Sequence, residues 1–226
     1  LVAHAHKVHL LPEQAYERSE GWTAQHSQAV LNGEAKRAER VAWLSKRHKN
    51  GIWSRMSATA NIWSLSAPIY PCFWSLEKKP SVDVLSDGGK WICGLRELGN
   101  ASSLGHHRHC VVYSFGSHGN FHFETTVHAA APSCKIHTFD PTYDLPTSAA
   151  ANSMLTYHRE GLAAEPGFFQ TTLHGKPENA TLQTLQHFMQ TLGHNAIDIL
   201  KIDIDGWEWG LLYQANWTSL RIGQLL

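Results

Sequence analysis

Two glycines and three aspartates carry most of the chemistry legible in this chain of 226 residues. Gly116-Ser117-His118-Gly119 separates an apolar run, Cys110–Phe115, from a helix-like segment, Asn120–Ala131. Glycine lets backbone approach a ligand closely, because it lacks a Cβ and tolerates positive φ. The unpaired N–H groups of a following helix favour a carboxylate or phosphate. By itself G-x-x-G is an ordinary strand-to-helix turn. It gains weight from Asp140, which closes the next strand-like run, Lys135–Phe139. In a strand-helix-strand unit of about thirty residues, an acid at that point lies beside the first loop, within reach of ribose hydroxyls. The plain alternative for Asp140-Pro141 is a turn at a strand end.

The remaining aspartates stand in Ile199-Leu-Lys-Ile-Asp-Ile-Asp-Gly-Trp-Glu. Read as extended chain, Asp203 and Asp205 point to one face at the carboxyl end of a buried strand. That end lines the ligand crevice of open α/β sheets. A hairpin with an Asp-Gly turn is the competing reading, but the segment after Trp207 lacks strand alternation and reads as helix. A buried carboxylate needs a partner or a job, so Asp203 is a catalytic candidate, with Asp205 and, more weakly, Glu208 beside it.

The elements that must hold these residues alternate. Strands are expected at 91–93, 110–115, 135–139, 154–158, 197–204 and 220–226, and helices at 120–131, 181–192 and 208–215. Such alternation describes an α/β domain, a mostly parallel sheet with helices on both faces. Upstream, Thr23–Arg47 has the spacing of an amphipathic helix ended by Asn50-Gly51. The stretch 52–74, with Trp53, Trp63 and Trp74, reads as packed irregular chain more readily than as a sugar-stacking surface. The division expected is an N-terminal extension over 1–86 and a catalytic-type domain over 87–226.

The quoted motifs, Val111–Glu124, Ile136–Thr142 and Leu200–Trp209, resemble in this order the methyltransferase-domain family that includes methyltransferase-like protein 24 and is related to FkbM-type methyltransferases. Asp87-Gly-Gly-Lys-Trp and Gln224-Leu-Leu are similar to its pattern as well. The resemblance implies a Rossmann-like methyltransferase fold with S-adenosylmethionine as cofactor. It places Ser114, Gly116, Ser117, Gly119 and Asp140 against the cofactor, and Asp203 and Asp205 near the methyl group or its oxygen or nitrogen acceptor. One departure is that Ser114 stands where such enzymes carry an acid. A non-catalytic binding module and an NAD-dependent oxidoreductase are the alternatives from other classes.

Lys+Arg and Asp+Glu are equal at 19 each, which argues against a broad nucleic-acid-binding face. The basic run Lys36–Lys49 reads as a solvated helix face. Sixteen histidines lack paired ligand spacing, so no metal site is expected. The acceptor class left open is a small molecule or glycan. Cys72, Cys93, Cys110 and Cys134 fit either disulfides or buried thiols. Asn100-Ala-Ser, Asn179-Ala-Thr and Asn216-Trp-Thr are glycosylation sequons compatible with a secretory location. No apolar run reaches the roughly 18 residues that span a bilayer. Leu1 and the apolar ending Ile222–Leu226 read as cut ends, which would truncate the fifth strand and leave room for a leader upstream.

Overall fold

The apolar runs of the second half pair with one another in parallel. In a computed structural model that describes residues 35, 38, 42, 72, 74–79, 89–99, 110–144, 154–173, 175–214 and 216–226, five strands form one sheet. They are β3 (Val111–Phe115), β4 (Lys135–Phe139), β5 (Thr156–His158), β9 (Ile197–Ile202) and β10 (Ile222–Leu225). The order is β10-β9-β3-β4-β5, and every pairing is parallel. This is the order of an open doubly wound sheet, in which the chain starts at the centre and builds outward in both directions.

β3 is a solid apolar run because the sheet is covered on both faces, and all five of its residues are buried. On one face Val112, Ile136 and Ile199 pack with Phe123 and Val127 of α2 (His122–Ala130) and Leu95 of α1 (Leu95–Gly99). On the other, Tyr113, Phe115, Phe139 and Leu200 pack with Leu185, Phe188 and Met189 of α3 (Leu185–Thr191), and with Leu211 of α4 (Glu208–Gln214). Phe115 and Phe139 stack with ring centroids 4.4 Å apart. Burying each such ring contributes about 2–3 kcal/mol, so this central aromatic layer anchors the strands whose ends carry the site.

A two-stranded antiparallel pair, β1 (Leu76–Lys79) with β2 (Lys90–Cys93), lies against the same protein. It spans the expected boundary at 86–87. The Gln224 side-chain amide docks it to β10, accepting from Cys93 N at 2.8 Å and donating to Cys93 O at 2.7 Å. All four cysteines are paired, Cys72 with Cys93 and Cys110 with Cys134. The second bridge ties the residue before β3 to the residue before β4. In the chain-entropy account, closing a loop of this size stabilises by about 3 kcal/mol.

Two expectations need correction. The helix expected over 181–192 begins later, because β8 (Lys176–Gln183) runs antiparallel to β7 (Gly167–Leu173), with β6 (Gly161–Leu162) on the other side of β8. Thr184 then caps α3, its hydroxyl oxygen accepting from His187 N at 3.1 Å. Leu182 is buried from the strand and Leu185 from the helix, so helix-like spacing continues across the boundary by coincidence. The strand expected over 197–204 stops at Ile202. Upstream, Ala35, Ala38 and Ala42 are helical, in line with the 23–47 helix. The rest of that helix and most of the Trp-rich stretch lie outside the described residues. β10 is the outermost strand on its side of the sheet as described.

Candidate functional site

The strand order reverses direction between β3 and β9, so the loops leaving their carboxyl ends part and open a crevice. Gly116 stands at that point. Its N–H donates to Phe139 O at 3.0 Å, and Asp203 N donates to Phe115 O at 3.1 Å. A Cβ on Gly116 would meet Asp203 O at 1.7 Å, and its φ is +79°. Glycine is required there for both space and conformation. Gly116, Asp140 and Asp203 therefore follow the ends of three adjacent parallel strands at one rim.

The loop past Gly116 is unusually folded. His118 and Gly119 also have positive φ, 45° and 75°, and a Cβ on Gly119 would strike the Tyr143 ring at 2.5 Å. Asp140 holds this loop in place. One carboxylate oxygen accepts from His118 N at 2.5 Å and, at 3.5 Å, from Ser117 Oγ; the other accepts from Thr142 N at 2.8 Å and Thr142 Oγ1 at 2.6 Å. Four donors match the four acceptor positions of a carboxylate. Asp140 is buried, and Ser117 nearly so. The Tyr157 hydroxyl braces the far side, 2.7 Å from Asp140 O and 2.6 Å from Tyr143 O.

Asp203 is half-exposed and faces Lys90 of β2, with Nζ 2.8 Å from Oδ2. Asp205 does not share its face, because the chain leaves the extended conformation after Ile202 and Asp205 turns at φ 54°. The one-face expectation assumed two more strand residues than the Asp205-Gly206 turn permits. Asp205 and Trp207 are exposed at this turn. Glu208 folds back on its own loop, accepting from Ile204 N and Gly206 N at 2.7 Å each. It shapes the entry to α4 and is not free for a ligand.

Ser114, expected against the cofactor, belongs instead to a polar cluster beneath the loop whose other members, Glu124, Thr138 and Lys201, sequence reasoning missed. Ser114, Glu124 and Thr138 are fully buried, and Lys201 nearly so. Lys201 Nζ donates to Gly116 O at 2.8 Å and Phe115 O at 3.3 Å, fastening the glycine from below. Burial pushes the Glu124 carboxyl up, while the Ser114 and Thr138 hydroxyls and the Lys201 charge pull it back. Those hydroxyls and both Glu124 oxygens lack a well-aligned hydrogen bond, so the hydroxyls act by proximity. Burial pushes the Lys201 amine down, opposed first by Glu124 and then by Asp203. The signal was available: a lysine inside a strand buried on both faces, and a glutamate on the apolar side of α2, both need partners. Lys90 had no comparable signal, since only the pairing of β1 with β2 brings it to Asp203.

Among the described residues, no group of three or more His, Cys, Asp or Glu is arranged to hold a metal ion. No described helix is long and apolar enough to cross a membrane.

The sheet order, the two covered faces and the glycine loop at the reversal point define an α/β domain of the doubly wound class. A family model for the methyltransferase domain matches residues 15–226, and the chain belongs to that family. It is similar to the human (Homo sapiens) probable methyltransferase-like protein 24, at 26% identity over 139 residues. That match covers 60% of this chain and 37% of the relative, so the chain spans well under half of the relative's length. No solved structure matches the chain.

Proposed function

We propose that this protein is an S-adenosylmethionine-dependent methyltransferase acting on an oxygen or nitrogen nucleophile of a small molecule or glycan. The observation that carries the reading is the close contact at Gly116, where the glycine loop meets the Asp203 backbone with no room for a side chain and so brings the ends of β3 and β9 together at one rim. The backbone of Gly116, Ser117 and Gly119 receives the cofactor, close to the turn that Ser114 leads into. Asp140 serves the ribose end, a ribose hydroxyl replacing the long Ser117 contact on one of its oxygens.

When bound, the cofactor supplies an electrophilic methyl group on a sulfonium. Its transfer would break the sulfur–carbon bond, form an oxygen–carbon or nitrogen–carbon bond, and release the acceptor's proton. The Asp203 carboxylate accepts that proton or orients the nucleophile, and Lys90 holds it in place. Asp205, displaced from that face by its turn, is a secondary candidate to orient the acceptor, and exposed Trp207 offers an apolar face to it. Positioning of the two reactants is the larger part of such catalysis.

A second reading, a non-catalytic member that keeps the fold as a binding module, is favoured by two observations. Asp140 is already supplied with four internal donors, and Ser114 leaves no acid at the end of β3. Thermal denaturation with added ligand separates the readings. S-adenosylhomocysteine at saturating concentration is expected to raise Tm by several degrees and NAD to leave it unchanged. A shift with NAD alone would favour the oxidoreductase class, and no shift with either would favour the binding module.

A further inference from the structure

One sequence motif has no part in methyl transfer: the sequon Asn216-Trp217-Thr218, in the connection from α4 to β10. Asn216 is exposed, and the Thr218 hydroxyl donates to Asn216 Oδ1 at 2.7 Å. That contact occupies the carbonyl side of the amide and polarises it. No hydrogen bond among the described residues engages Asn216 Nδ2. The turn is held in this shape from both sides. Ser219 N and Oγ donate to Asn216 O at 3.1 and 2.8 Å, and Trp217 Nε1 donates to Leu212 O at 3.0 Å. With Trp217 packed against the core, the asparagine projects outward.

The second, independent observation is the pairing of every cysteine into a disulfide. Disulfides persist in oxidising compartments, and the secretory pathway, where asparagine is glycosylated, is one. The third concerns position. Asn216 precedes β10, whose first pairing is Ile222 with Ile197 at the start of β9, whereas the rim lies beyond the other end of β9 at Asp203. A bulky group on Asn216 would leave the crevice open.

We propose that Asn216 is an N-glycosylation site, taking an oligosaccharide from a lipid-linked pyrophosphate donor. A bond forms between Nδ2 and the anomeric carbon, the anomeric carbon–oxygen bond to the pyrophosphate breaks, and the amide gives up one proton. The proposal stands independently of methyl transfer.

It is tested on the protein isolated from the cells that make it. Trypsin cuts after Lys201 and Arg221, so Asn216 falls in its own peptide, apart from Asn179. Peptide N-glycosidase in 18O-labelled water is expected to convert Asn216 to labelled aspartate. The label should be absent without the enzyme, and absent in Thr218→Ala isolated with both disulfides intact. An unlabelled Asn216 in the wild-type peptide, label confined to Asn179, or label that persists in Thr218→Ala would each overturn the assignment.

Discussion

Gly116 and Asp203 touch backbone to backbone across the reversal point of the sheet, leaving no volume for a Cβ between them. This contact joins the loop after β3 to the end of β9, and so joins the proposed cofactor side of the site to the catalytic side. Gly116→Ala would have to separate the two strand ends as well as adopt positive φ. A loss of about 3 kcal/mol or more is expected in urea denaturation. Gly175→Ala is the control. That residue also has positive φ, 77°, but nothing lies within 4 Å of its Cβ position, so about 1 kcal/mol is expected.

Asp140→Asn keeps the size of the side chain but replaces one acceptor oxygen by a donor facing other donors. The loop at 117–118 loses its anchor, and the ribose end loses a charged acceptor. Affinity for S-adenosylhomocysteine is expected to fall by about thirtyfold, equivalent to ~2 kcal/mol. Asp203→Asn is expected to leave that affinity within about twofold and to lower single-turnover methyl transfer by roughly a hundredfold. Equal effects of the two variants on binding would contradict the division of roles.

Lys201→Met removes the cation that fastens Gly116 O and leaves Glu124 buried without a counter-charge. A stability loss of about 3 kcal/mol is expected. In the double variant with Glu124→Gln, the loss should be smaller than the sum of the singles by about 1 kcal/mol or more. Strict additivity would show that the two groups do not sense each other.

Acid should weaken the opposite face of the sheet. His137 is buried there, its Nδ1 3.0 Å from His158 Nε2, with His194 stacked edge-on at 5.0 Å between centroids. Burial first, then His158, His194 and Lys135, holds its pKa down to about 4 from the ordinary 6.5. Between those values the unfolded chain binds the proton and the folded one refuses it. The contribution is therefore complete above pH 6.5 and is lost as pH falls towards 4. The loss amounts to at most about 3 kcal/mol. Urea midpoints measured from pH 7 to 4.5 should fall in the wild type and fall less steeply in His137→Gln.

What the sequence disclosed followed from burial on two faces. β3 is covered on both sides and reads as a continuous apolar run, and β4 and β9 as buried strands interrupted by a few polar residues; Gly116, Asp140 and Asp203 follow their ends at one rim. β7 and β8 are half-buried and carry Pro177, Asn179 and several threonines, so neither an apolar run nor clean alternation marked them. At the site, a strand-period argument was carried two residues too far and put Asp205 on the wrong side of a turn. Lys90 owes its place to the pairing of β1 with β2, which no local pattern encodes.

The central claim is that the rim formed by Gly116, Asp140 and Asp203 receives S-adenosylmethionine. Isothermal titration of the chain with S-adenosylhomocysteine tests it most directly. One site per chain is expected, with a Kd in the micromolar range, weakened by about thirtyfold in Asp140→Asn. An absence of binding heat from a folded, disulfide-intact protein, or wild-type affinity in Asp140→Asn, would contradict it.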